Sequence, residues 1–159
     1  MLNIMIRSEK EYQKALNRLE EEQKMIERQR AHFKEMGHSG EELERLMQPL
    51  QSFHSQLKEE VEAYDGMKRG DLGTLYEFNN IGRWLIGIRI ALGMSQKEFA
   101  EKLGVSEAQV SRDETNEYHG ITVDKAQRIL ETFNIRFKAE IEEPISKSRK
   151  NNEPFMFVS

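Results

Sequence analysis

Between Ser106 and Arg112 the chain reads SEAQVSR. Arg112 offers a planar fork of donors that matches two adjacent acceptors, such as guanine O6 and N7. Gln109 carries one donor and one acceptor side by side, the complement of adenine N7 and N6. Glu107 can accept from cytosine N4, and the Ala108 methyl suits a thymine methyl. Ser106 and Ser111 add hydroxyls. These groups recognise by hydrogen bonding and shape; none makes or breaks a bond. Elsewhere, His32, His38, His54 and His119 are scattered without metal-ligand spacing, and there are no cysteines. The chain has no glycine-rich phosphate loop and no nucleophile elbow. No enzyme, no metal and no cofactor is expected.

These residues need a scaffold, and Met94 to Asn116 (MSQKEFAEKLGVSEAQVSRDETN) supplies it. Ser95 followed three residues later by Glu98 is a capping-box pattern. Phe99, Ala100 and Leu103 form an apolar stripe at helical spacing. Gly104 stands where a helix ends in a left-handed conformation. Ser106 with Gln109 opens a second helix in the same way. Ala108 and Val110 are among the few apolar residues of that second helix, so most of its surface must face water or a ligand. A helix held by its neighbours and showing a polar face suits a DNA major groove.

This stretch resembles the helix-turn-helix of the phage Cro and CI repressor family, also called the Xre family. The resemblance spans roughly residues 80–135. It rests on Gly93, Ser95-Gln96, Phe99-Ala100, Leu103-Gly104-Val105-Ser106, Gln109-Val110-Ser111-Arg112 and Glu114. It implies that the helix after Ser106 reads base edges and that Gln96 contacts a phosphate, with Lys97 and Lys102 as weaker phosphate candidates. It also implies a structural ion pair of Arg89 with Glu114, expected to be partly buried. Asp113 departs from the family, where an apolar residue is commoner, and this bears on packing or dimer contact at the end of the recognition helix.

The net charge is -4, with 37% hydrophobic and 33% charged residues. From residue 81 to 119 the basic residues Arg83, Arg89, Lys97, Lys102 and Arg112 face a slightly larger acidic set: Glu98, Glu101, Glu107, Asp113, Glu114 and Glu117. Without positive excess, such a head binds DNA weakly as a monomer, because phosphate neutralisation supplies most non-specific affinity. A homodimer is expected on that ground. No membrane-spanning run and no signal-peptide pattern is present, and the cysteine-free composition suits a cytoplasmic location.

Towards the N-terminus, Ser8 with Glu11 opens a long helical pattern to about Met36. Tyr12, Leu16, Leu19, Gln23, Ile26, Arg30 and Phe33 form its seam. After the break at Gly37 to Gly40, Ser39 with Glu42 opens another, with Leu43, Leu46, Leu50, Phe53, Leu57 and Tyr64 as the facing seam. Pro49 should kink or divide that run. The simplest architecture is an antiparallel helical hairpin or coiled coil. Ser8 to Tyr12, Ala15-Leu16 and Leu57 to Tyr64 are similar to the hairpin that precedes the repressor-like head in HigA-like antitoxins. That resemblance implies a protein toxin as a second partner.

Trp84 lies on the apolar stripe of a first head helix with Ile81, Leu85, Ile88 and Leu92, which argues core packing over base stacking. Thr122 caps a helix to about Phe133. Ile135, Phe137, Ala139 and Ile141 then alternate with polar residues and predict a short strand, paired with a second subunit or with residues 1–7.

The expected fold is mainly all-α. Residues 1–66 form the hairpin, serving dimerisation or partner binding, 67–79 a linker, 80–143 a five-helix head of lambda-repressor type with a short C-terminal β-strand, and 144–159 a disordered tail. The expected function is a sequence-specific, repressor-like transcriptional regulator binding double-stranded DNA as a homodimer on an inverted repeat. The alternative is an antitoxin that neutralises a toxin through its N-terminal helices and autoregulates its operon.

Overall fold

The computed structural model describes residues 5–141. The expected tail, 144–159, lies outside the described residues, as do residues 1–4. Six α-helices and one 3₁₀ turn make up the described chain: α1 Glu9–Glu35, α2 Gly40–Lys68, the turn Phe78–Asn80, α3 Ile81–Ala91, α4 Gln96–Leu103, α5 Glu107–Thr115 and α6 Val123–Thr132. None of these helices is long and apolar enough to cross a membrane.

α1 starts at Ser8, whose hydroxyl accepts from the Glu11 N–H. The Glu11 carboxylate accepts from the Arg7 N–H instead of that of Ser8, so the capping box is displaced by one residue. Ser39 precedes α2 but its side chain makes no capping hydrogen bond. The two helices run antiparallel. Tyr12 near the start of α1 stacks on Tyr64 near the end of α2, with ring centroids 5.0 Å apart, and its hydroxyl donates to Asp65 at 2.8 Å. At the other end Arg30 forms a forked pair with Glu44.

Two details of the hairpin differ from expectation. α2 is one helix through Pro49, so the run is not divided there, and the proline itself is exposed. The inner face of α2 is Leu43, Met47, Leu50, His54, Leu57, Val61 and Tyr64, while Leu46 and Phe53 are 39% and 63% exposed. Both stripes step by three and four and share Leu43, Leu50, Leu57 and Tyr64. Only the position of α1 selects between their flanks. Ile26, Leu43 and Met47 form a separate distal core with Phe33 and Leu50. Between it and the main core the seam is polar: Glu22 Oε2 and His54 Nδ1 lie 3.6 Å apart, both buried and without a hydrogen-bond partner.

The main core is continuous from the base of the hairpin into the head. Met5, Ile6, Ala15, Val61 and Tyr64 join Leu85, Ile86, Ile88, Phe99, Val110 and Ile129 in one buried cluster. The connection from α2 to α3 is itself packed. The Trp84 Nε1–H donates to the Leu72 carbonyl at 3.0 Å, and a Cβ on Gly87 would come within 2.7 Å of Leu72 Cδ2. Trp84 also meets Phe137 edge-on. In the head, Phe99 is fully buried and stacks flat on Phe133 at 4.7 Å. Gly82 lies against the backbone of the turn after α5, where Glu117 and Tyr118 adopt positive φ of 47° and 52°.

The head has four α-helices plus the 3₁₀ turn, not five α-helices. α6 ends where Asn134 turns left-handed (φ 53°), and the expected β-strand is not formed: residues 135–141 carry no regular structure. The reason is the one that made the strand doubtful as a lone element. An extended segment needs a neighbour to take its backbone hydrogen bonds, and the described residues include no second strand.

Candidate nucleic-acid interface

α4 and α5 are set by local chemistry that the chain carries at their ends. Ser95 and Glu98 form a complete capping box on α4. The Glu98 carboxyl is held below its ordinary value by the Ser95 N–H and then by the Ser95 hydroxyl. Gly104 closes α4 at φ 69°, in the left-handed region that glycine enters without penalty. The chain then turns at once into α5, whose first turn is capped by the Ser106 hydroxyl accepting from the Gln109 N–H at 3.2 Å. Three residues between helices leave α5 leaning across α4, the arrangement of a helix-turn-helix.

α5 is held by one side only. Val110 and Glu114 are buried at 1% and 0% exposure, while Glu107, Ala108 and Arg112 are exposed and Gln109 and Ser111 half-buried. Lys97 is exposed at the start of α4 and Ser106 at the turn before α5. Gln96 is half-buried and turned inward: its Nε2 donates to Glu114 Oε2 at 2.8 Å. A phosphate contact by its side chain requires that bond to open or the second amide hydrogen to be used.

Beneath α5 lies an ion pair. Arg89 Nε and Nη2 donate to Glu114 Oε1 and Oε2 at 2.5 and 2.7 Å. The remaining Arg89 donors reach the Met94 carbonyl and the Arg7 carbonyl, each at 2.8 Å. The pair is inside the protein, deeper than the partly buried pair expected from sequence, with Arg89 at 4% and Glu114 at 0% exposure. A buried charge pair survives only when its remaining hydrogen-bonding groups are also satisfied. Here Gln96, Met94 and Arg7 meet that demand. The pair therefore ties α3, α4, α5 and the segment before α1 to one point.

A second network lies on the surface, and its link to α6 was not legible from sequence. Gln109 Nε2 donates to Asp113 Oδ1 at 3.0 Å, and Arg112 Nη2 donates to Gln109 Oε1 at 3.0 Å. Lys125 Nζ, from α6, reaches Asp113 Oδ2 at 2.6 Å and stands 5.9 Å from the Tyr118 ring centroid. The one sequence signal was Asp113 itself, an acidic residue where the resembling family has an apolar one. Its cation, twelve residues away on another helix, had none. The Tyr118 hydroxyl is pushed well above its ordinary value, by burial first and then by Glu114 and Asp113.

Residues 86–138 match the helix-turn-helix family model, a third of the chain that begins within α3 and ends beyond α6. No curated protein and no solved structure matches the chain. The match and the geometry agree on the class: residues 86–138 are a helix-turn-helix unit, with α5 in the place of the second, outward-facing helix.

Proposed function

We propose that this protein is a sequence-specific DNA-binding transcriptional regulator of repressor type, cytoplasmic and without enzymatic activity, that acts as a homodimer on an inverted repeat. The observation that carries the reading is α5: anchored by Val110 and Glu114 on one side, it exposes Ala108 and Arg112 on the other, with Glu107 exposed in its first turn and Gln109 and Ser111 half-buried at the flanks. The helix-turn-helix match over the same residues supports it. In this reading Arg112 contacts guanine, Gln109 adenine, Glu107 cytosine and Ala108 a thymine methyl, while Lys97 and Ser106 contact phosphates and Gln96 joins them only on releasing Glu114 or through its second amide hydrogen. The slight acidic excess of residues 81–119 supports dimeric binding, with half-sites about one helical turn, roughly 34 Å, apart.

The test is selection of bound fragments from genomic DNA with the purified protein, repeated with Arg112→Ala and Gln109→Ala. A palindromic motif is expected. Arg112→Ala should weaken its binding by about 1–3 kcal/mol and relax preference at one base pair per half-site. Folded protein that enriches no sequence at low salt would remove the proposal.

A second reading is favoured by one surface. Residues 49–57 of α2 (PLQSFHSQL) carry no Asp, Glu, Lys or Arg in a chain that is one-third charged, and Phe53 stands out from them at 63% exposure. Leu50, His54 and Leu57 of this run face α1, and Phe53 is left on the outside, a large aromatic of the type enriched at protein interfaces. In this reading the hairpin also binds a protein partner, as an antitoxin binds its toxin. Co-purification of a small basic protein, lost in Phe53→Ser, would support it; retention in that variant would count against it.

A further inference from the structure

Gln109 is held at both ends of its amide. Its Nε2 faces the Asp113 carboxylate, which can only accept, and its Oε1 faces the Arg112 guanidinium, which can only donate. Turning the amide over would set oxygen against carboxylate and N–H against guanidinium, so one orientation is enforced. Asp113 is pinned in turn. Its second oxygen is taken by Lys125 Nζ, and that ammonium is itself placed beside the Tyr118 ring. The restraint thus runs from α6 across to the outer face of α5.

An amide reads adenine by donating to N7 and accepting from N6, two atoms in fixed order across the major groove. An amide free to turn over can meet that order from either side. One locked in a single orientation meets it on one strand and mismatches it when the pair is reversed. We propose that Asp113 and Lys125 are positioning residues for DNA reading: by fixing the polarity of the Gln109 amide they let α5 distinguish A·T from T·A at the base pair Gln109 faces. Lys125 has a further effect. It neutralises Asp113, whose bare carboxylate on this face would repel the phosphate backbone at any sequence. The inference rests on α5 reading DNA as proposed above.

The experiment is a bound-DNA selection followed by affinity measurements on the selected site and on the site with that one pair reversed. Gln109→Ala identifies the pair. Asp113→Asn keeps the side-chain shape but puts an amide, able to donate or accept, in place of the carboxylate; Asp113→Ala removes the restraint altogether. Both should lower discrimination between A·T and T·A at that pair by about fivefold or more, with preferences at the other positions and the melting temperature little changed. Lys125→Met, which frees Asp113 from α6, should weaken binding to all sequences and also lower discrimination at that pair; discrimination unchanged in this variant would overturn its positioning role. Full discrimination in both Asp113 variants overturns the lock while leaving α5 as a DNA reader, and unchanged affinity in Lys125→Met overturns the neutralising role. If the wild-type protein selects no sequence, the DNA reading fails and the lock with it.

Discussion

Truncating Glu114 to alanine tests the centre of the head. The carboxylate is wholly buried and accepts from Arg89 Nε, Arg89 Nη2 and Gln96 Nε2. In the variant Arg89 keeps its bonds to the Met94 and Arg7 carbonyls but loses both charged contacts, and its guanidinium stays inside without a counter-charge. Hydrogen bonds to charged groups contribute about 1.5–3 kcal/mol each, and removing one partner of a buried pair costs about 3–5 kcal/mol. With a chain of this size, each kcal/mol shifts the melting temperature by roughly 2–4 °C, so a fall of roughly 6–20 °C is expected. Thermal unfolding followed by the fluorescence of Trp84, the one tryptophan, measures the fall, and urea unfolding with the same probe gives the loss in kcal/mol. The companion double variant Arg89→Met with Glu114→Leu removes both charges and should recover most of the loss, because apolar residues of similar volume often replace a buried pair at little cost. A loss below about 1 kcal/mol in Glu114→Ala would refute the reasoning, since a pair this deep cannot be dispensable if it satisfies Arg89 as described.

Three further outcomes are expected. Gly82→Ala should destabilise by about 1–3 kcal/mol or more, because its Cβ would come within 1.7 Å of the Glu117 carbonyl oxygen, a backbone atom that cannot step aside; an unchanged urea midpoint would contradict the close approach. Pro49→Ala should raise stability by about 1–3 kcal/mol, restoring the hydrogen bond that proline denies an unbroken helix, and a loss of stability would mean that the proline shape is itself needed. For Glu98 the folded-state pKa is depressed from 4.5, so its contribution is present above that value and lost as pH falls through the folded one. The stability gap between wild type and Glu98→Gln should therefore be open at pH 6 and close in acid below pH 4.5; a gap that widens in acid would reverse the assignment.

Much of the scaffold was legible along the chain because its signals are local. The capping box at Ser95 and Glu98, the left-handed Gly104, the Ser106 and Thr122 caps and the inward positions of Phe99, Leu103 and Val110 each depend on residues within one or two turns. The hairpin was readable for the same reason, down to its antiparallel course, since a short break between two long amphipathic patterns leaves little choice. Its inner face was not. Two stripes of α2 sharing Leu43, Leu50, Leu57 and Tyr64 fit similar spacing, and the flank through Met47 and Val61 is buried while Leu46 and Phe53 stay outside.

The sequence alone determined most helix starts, through their caps, and which side chains on α5 carry groups able to recognise a base; it did not show that α2 passes Pro49 undivided and runs on to Lys68. Tertiary structure decided how those groups are held. Lys125 reaches Asp113 across the turn between α5 and α6, Arg7 supplies a carbonyl to Arg89 from 82 positions away, and Gln96 turns inward to Glu114. Helix signals are written in neighbouring residues because helical hydrogen bonds span four positions. Charged networks join groups that become neighbours only after the helices pack, and no spacing along the chain encodes that meeting.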